Sequence, residues 1–359
     1  MHKIALVEKN NKLDLSYLEG SNCQVISSDY TVPSAKIRID YSGICGSDIH
    51  LIHNPITNLK LPKILGHEAS GTILEFYSQS QQDIYDFKVG DFVAINPLIS
   101  CGNCKMCKRG KPNLCLNRKL LGSDIDGLFQ ENIIVPLSNL LPLKSLRDKR
   151  LGALLEPMAV AVHSVKLAMR YSLKSGDDFL IIGAGKIALF ISLVLKKWAK
   201  PNSITVVGLN KDIKSRLPIF NEIGVKTYTQ EFIFNEHSAD GYLSYFRKKY
   251  HFVFEASGSE DGIKTAMNSL ESEGNLIAVG LSESEVKIDV NDIVRRELRY
   301  IGSDGYVESD LEDALSLLSD STVKVDWIKV AEPMECSEAF KAYEDSEVMF
   351  ILFNFSKDS

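Results

Sequence analysis

Four cysteines fall within fifteen residues in CGNCKMCKRGKPNLC, at positions 101, 104, 107 and 115, and no other feature constrains the fold so tightly. Short spacers let consecutive sulfurs reach one centre, which suits tetrahedral closure around a single Zn²⁺. An iron–sulfur cluster uses the same ligand type, and four unliganded thiols are the bland alternative. The interleaved Lys105, Lys108, Arg109 and Lys111 favour the thiolate forms and offset the double negative charge of a Zn(Cys)₄ unit. Such a site is closed to further ligands, so it is expected to brace a lobe and carry no chemistry.

The chain has 359 residues, enough for two domains, and a net charge of −6 from 47 acidic against 41 basic residues. That balance gives no general attraction to nucleic acid or anionic lipid, and neither is expected as a partner. The longest apolar run, LFISLVL at 189–195, stops at Lys196 and Lys197, far short of the roughly 20 residues that span a bilayer. At the N-terminus MHKIALVEKNNKLDL alternates like a strand and lacks the apolar stretch of a secretion signal. A cytoplasmic location is therefore expected, with cysteines used for metal or chemistry and not for disulfides.

Two patterns divide the chain. Up to about residue 150, short β-rich runs such as AKIRIDYSGIC, GTILEFY, GDFVAINPL and LFQENIIVP are separated by turns, and the polar run SQSQQD at 78–83 reads as a surface loop. From 154 onward, helical segments alternate with compact apolar strands: DFLIIGAG, SITVVGL, FVFEASG, NLIAVGL and RYIGSDG. That alternation predicts a parallel sheet with right-handed crossovers. The residues after about 290 are too few for a third domain and are expected to complete the first.

A second set of metal-ligating residues is scattered. Cys45 lies in GICGSDIH, His67 and Glu68 in KILGHEASG, and Glu156 in LLEPMAV, at the junction of the two patterns. Cys45, His67 and Glu156 would offer Zn²⁺ a sulfur, a nitrogen and an oxygen, leaving a fourth position open for water or substrate. Taken singly, each has a blander reading: a buried cysteine, a surface histidine, a glutamate capping a helix before Pro157.

In this order, GICGSDIH, GHEASG, the four-cysteine lobe and GAGKIA resemble the zinc-containing medium-chain dehydrogenase/reductase family of alcohol, polyol and threonine dehydrogenases, over essentially the whole chain. The resemblance implies an α/β fold: a GroES-like β-rich catalytic domain over 1–153, a Rossmann doubly wound parallel-sheet domain over 154–292, and a C-terminal return to the catalytic domain over 293–359. It implies two Zn²⁺ per chain. Cys45 and His67 would hold the catalytic ion, with Glu68 beside it as an alternating carboxylate, and the four cysteines the structural ion. Glu156 falls where the liver-type branch has cysteine and the sorbitol-dehydrogenase-like branch glutamate, which points to a polyol, sugar alcohol or cyclitol, free or phosphorylated, with Arg295, Arg296 and Arg299 as the cations compatible with a phosphate. One thiolate and one carboxylate would leave the ion able to acidify a hydroxyl. Ser47 and His50 resemble the family's proton relay, whereas Gly305 and Tyr306 stand where the polyol branch often carries arginine. L-threonine 3-dehydrogenase, a general alcohol dehydrogenase, or a non-catalytic protein of the same fold remain as alternatives. Family members are often homodimers or homotetramers, and NLIAVGL is the kind of strand expected at such an interface.

DFLIIGAGKIALFISLVL is an apolar strand, the turn Gly183–Ala184–Gly185, and a helix with Ala188 at the close-packing position. GxGxxA between strand and helix matches a dinucleotide fingerprint, with the pyrophosphate on the helix N-terminus and Lys186 in its first turn, either solvated or near a phosphate. At Gly208, where NAD-specific chains place an acid for the ribose, no side chain exists; Asn210, Lys211, Lys214 and Arg216 follow. That composition favours NADP(H) over NAD(H), since cations suit a 2′-phosphate. Asp212 is the acid that would restore NAD. By resemblance, Val279 and Leu281 meet the nicotinamide.

Overall fold

In the strand Ser34–Gly43, Ala35, Ile37 and Ile39 are fully buried while Lys36 and Arg38 face outward, the two-residue period of a sheet with one face on a core. The computed structural model describes all residues except 10–11, 21–23, 26–31, 56–58, 78–85, 172, 232–248, 283, 321 and 357–359. The loop expected at 78–83 thus lies outside the described residues.

The chain forms two compact units. One comprises Met1–Glu156, Ala314–Glu344 and Phe350–Ser359; the other comprises Pro157–Asp313 and Asp345–Met349. Among the described residues the first unit carries an eight-stranded sheet. In it Ser34–Gly43 pairs antiparallel with Glu68–Tyr77, with Asn132–Pro136 and, through its last residues, with the C-terminal strand Phe350–Asn354. Phe129 meets Phe353 and Phe340 edge-on at centroid distances of 5.3 and 6.0 Å beneath this sheet.

Among the described residues the second unit carries a six-stranded, all-parallel sheet. Its spatial order is Lys226–Thr229, Ser203–Gly208, Asp178–Ile182, Tyr250–Glu255, Leu270–Ala278, Arg299–Gly302. Numbered by sequence this is 3-2-1-4-5-6, the doubly wound order whose strand reversal creates a dinucleotide crevice. The helix Lys186–Trp198 is buried without a break from Ala188 to Leu195, so it is held by packing inside the unit. Lys196 and Lys197 in its last turn complement the negative end of the helix dipole.

Two expectations change here. The parallel sheet runs past residue 292, because Arg299–Gly302 pairs with Leu270–Ala278 as its sixth strand. NLIAVGL therefore forms an interior strand, and Arg299–Gly302 is the edge. The helical stretch Lys149–Met169 is long and apolar enough to cross a membrane, but 78% of its most apolar 18-residue window is buried within the protein, as in a core helix.

Candidate active site

Cys45 caps the N-terminus of the helix Gly46–His53 with an extended backbone (φ −109, ψ 154). Its N–H donates to Asp48 Oδ2 at 2.9 Å. The other oxygen of Asp48 accepts from the Gly66 N–H at 3.2 Å and lies 3.7 Å from His67 Nδ1. A single buried carboxylate thus ties the backbone that carries Cys45 to the one that carries His67. Asp48 lies within GICGSDIH but is given no role by the sequence; its signal there is an acid in the first turn of the helix that Cys45 opens.

His67 is aimed by its neighbours. Gly66 has φ +88, and the Phe129 ring lies 2.6 Å from where a Cβ would stand, so no other residue fits that turn. The N–H groups of Gly127, Leu128 and Phe129 donate to the carbonyls of Ile64, Gly66 and Leu65 at 2.8–3.0 Å, clamping the segment just before the imidazole. Gly71 lies within the strand Glu68–Tyr77, where the Arg38 carbonyl occupies the place of a side chain.

Glu68 opens that strand and is 1% exposed; its register partner is Gly43. Its carboxylate lies over Gly43: a Cβ there would stand 2.7 Å from Glu68 Oε2. The result is a cluster in which the ligand atoms of Cys45, His67 and Glu68 all lie within 4.8 Å of one another. Glu156, half-buried in the first turn of the helix Leu155–Met169, is not a member of that triad. Burial alone would lower the His67 pKa, but the Cys45 thiolate, Asp48 and the more weakly acting Glu156 outweigh it and raise the imidazole well above the ordinary histidine range. Thiolate, imidazole and carboxylate in a pocket with this excess of negative charge fit a divalent zinc ion. Ser47 is exposed, with Oγ 3.3 Å from His67 Nε2; His50 lies exposed three residues on, which puts both on one face of the helix.

The other four cysteines also converge, their sulfurs all within 4.8 Å of one another. Cys101 and Cys115 stand 3.4 Å apart and Cys104 and Cys107 3.5 Å, far beyond a disulfide and near the roughly 3.8 Å between sulfurs of a tetrahedral zinc site. Backbone N–H groups of Asn103 and Cys104 hold the Cys101 thiol down to about 6, while burial and the neighbouring Cys104 push Cys107 up to about 11. Main-chain amides, more than the exposed lysines, therefore make the thiolate here. Sulfurs this crowded cannot all ionise without a cation among them, so this donor set also fits zinc.

In the second unit, Gly183 turns at φ +106 and Gly185 caps the helix Lys186–Trp198; Ala188 is fully buried. Lys186 is 4% exposed, which excludes the solvated alternative. A buried cation at the positive end of a helix suits an anion bound there. Gly208 ends the second strand, and Asn210, Lys211 and Lys214 are exposed just beyond it. Arg216 is committed elsewhere: its Nε donates to the Val348 carbonyl at 3.0 Å, and Nη1 lies 3.7 Å from Asp212. Asp212 folds back so that its Oδ2 would stand 3.0 Å from a Cβ on Gly208, but it is 4% exposed and already accepts from the Leu209 N–H at 2.8 Å. Val279 is half-buried just past the strand Leu270–Ala278, and Leu281 is 76% exposed.

Residues 33–145 match the family described as alcohol dehydrogenase GroES-like domain, and residues 191–320 the one described as zinc-binding dehydrogenase. Sorbitol dehydrogenase of Halalkalibacterium halodurans is 32% identical over 328 residues, covering 88% of this chain and 90% of the relative. D-arabitol-phosphate dehydrogenase of Enterococcus avium is 30% identical over 345 residues, covering 92% and 94%. Among solved structures, galactitol-1-phosphate dehydrogenase from Escherichia coli superposes with a TM-score of 0.82 over 99% of this chain and 100% of that one; at 24% identity it speaks for the fold alone.

Proposed function

The chain belongs to the zinc-containing alcohol dehydrogenase family, in its polyol dehydrogenase branch, and from that premise we propose that it interconverts a secondary alcohol of an unphosphorylated sugar alcohol or cyclitol and the corresponding ketone, with NADP(H) preferred over NAD(H). The observation that carries this reading is the gathered triad of Cys45, His67 and Glu68. These three residues would hold the catalytic zinc, with Glu156 as the carboxylate that exchanges with Glu68. When bound, zinc supplies Lewis-acid polarisation of the substrate oxygen, and the nicotinamide accepts or returns the hydride. Ser47 takes the hydroxyl proton, and His50, exposed on the same helix face, hands it to solvent. Cys101, Cys104, Cys107 and Cys115 would hold a second, structural zinc.

For the cofactor, Gly183, Gly185 and Ala188 admit the pyrophosphate to the helix end and Lys186 neutralises it. Gly208 carries no acid of its own and Asn210 and Lys211 are exposed just beyond it, which favours a 2′-phosphate, while Arg216 anchors backbone; Val279 and Leu281 flank the nicotinamide end. Arg296 bonds Asp292 at 2.7 Å and the Leu270 carbonyl, and Arg299 the Glu273 carbonyl at 2.9 Å, so these arginines favour no substrate phosphate. A homodimer pairing the edge strand Arg299–Gly302 is also proposed, since Tyr300 on it and Val290 and Val294 on the preceding helix are 41%, 66% and 68% exposed.

Sugar alcohols, their phosphates, cyclitols, L-threonine and simple alcohols, assayed with NADP⁺ and NAD⁺ at the nicotinamide absorbance band, test this directly. Turnover of a free polyol with about tenfold higher kcat/KM for NADP⁺ is expected, a difference of about 1.4 kcal/mol. Equal efficiency with both cofactors would sink the preference; turnover confined to L-threonine or a polyol phosphate would replace the substrate.

A further inference from the structure

Six cations, Lys105, Lys108, Arg109, Lys111, Arg118 and Lys119, fall between Asp91 and Asp124 with no acid among them. Set against a whole-chain charge of −6, they leave −12 on the remainder. All but the half-buried Arg118 are exposed, so the four-cysteine lobe is a basic knob; a bound Zn(Cys)₄ unit would remove only two of those charges. Amid the cations stand Leu114, 39% exposed, and Leu116, 94% exposed. A surface that bound only a polyanion would need cations alone. Bare leucine ringed by charge has the composition of a protein contact: an apolar centre with a polar rim.

The same unit carries a surface of opposite sign. Over Glu332–Glu344 the acids Glu332, Glu335, Glu338 and Glu344 are all exposed, against the single cation Lys341. Among them Met334 is 69% exposed. This patch is the knob's complement in charge and resembles it in form, an exposed apolar side chain within a charged ring.

We propose that the four-cysteine lobe is an assembly surface whose occupant is the acidic Glu332–Glu344 face of a second copy of this chain, with Leu116 and Met334 at the centre of the contact. Each copy carries both halves, so a two-fold pair makes the contact twice. It is separate from the edge strand Arg299–Gly302 and adds a second, salt-sensitive step of association.

Sedimentation velocity at low and high salt tests this on the full-length, zinc-loaded protein. Lys111→Glu with Lys119→Glu, and separately Glu332→Lys with Glu338→Lys, should each raise the dissociation constant of that step at least about tenfold, and Leu116→Ser should do likewise without changing charge. The chain carrying all four reversals should associate again, because its signs are complementary once more. Zinc content and melting midpoint check that each variant is folded. Val294→Asp breaks the edge-strand contact independently, so loss of one interface is not read as loss of the other. Unchanged association in the reversed variants, or failure of the four-fold reversal to restore it, overturns the proposal. So does a lobe reversal that abolishes binding of a single-stranded RNA oligomer and leaves self-association intact.

Discussion

The two metal centres are built in opposite ways. The lobe draws its four sulfurs from fifteen consecutive residues, and its own turns supply the amides that hold Cys101 as a thiolate. The triad draws on the cap of a helix, the start of a strand and the turn before that strand, brought together by register: Gly43 opposite Glu68, and Asp48 bridging Cys45 and Gly66. A local site is close to a folding unit in its own right, so ligand binding there adds to stability. The triad is imposed by the surrounding sheet, and its donors can be chosen for chemistry because the fold, and not the metal, holds them.

That contrast is most exposed to a matched pair of substitutions. Cys45→Ser should lower kcat by about 10³-fold or more while the protein keeps its lobe zinc and nearly its full melting midpoint. Cys115→Ser should do the reverse, costing about 3 kcal/mol of stability while activity below the melting transition stays within a few-fold of the parent. Zinc per chain, thermal unfolding and initial rates measured on both variants decide it; a Cys45 variant that also emptied the lobe would show the two centres to be one cooperative unit.

Asp48→Asn probes the bridge between the triad's two halves. The amide keeps the size of the carboxylate and one carbonyl acceptor, but it loses the charge facing His67. An effect of about 10- to 100-fold on zinc affinity at the triad, or on kcat, is expected, the usual range for a group that orients a metal ligand. The lobe should keep its zinc. Competition with a chromophoric chelator would reveal it, and unaltered affinity together with unaltered kcat would mean that the sheet alone positions His67.

The difference between the centres also governs what was legible beforehand. The lobe could be read because its contacts are local and its spacing is itself the geometry. The dinucleotide turn was legible for the same reason: Gly183, Gly185 and Ala188 lie between an apolar strand and the helix it feeds, and Lys186 is at that helix's start. What could not be read depended on pairing between distant segments. Spacing could not say that Glu68 would join Cys45 and His67 while Glu156 stood outside, since that follows from the Gly43–Glu68 register. Nor could it say that Arg216 would anchor the Val348 carbonyl, 132 residues away in sequence. Charge composition suggested a phosphate-binding role for that arginine, and a long-range backbone contact claims it.

The smallest expected effect is also the most specific test of a site made by register. At Gly43 an added methyl would meet Glu68 Oε2 at 2.7 Å and Leu352 Cδ2 at 3.2 Å. The backbone there is ordinary, since Gly43 is not among the positive-φ glycines, so alanine brings crowding and no backbone strain. Gly43→Ala should therefore push the Glu68 carboxylate out of the triad, lowering kcat by about tenfold with about 1–2 kcal/mol lost from stability. In a Glu68→Ala background the oxygen that crowds the methyl is gone, and the same substitution should have little further effect on kcat. Coupling of that kind is what a double-mutant cycle isolates. If the two changes simply add, the carboxylate is not held over Gly43 during turnover, and register alone does not set the third member of the triad.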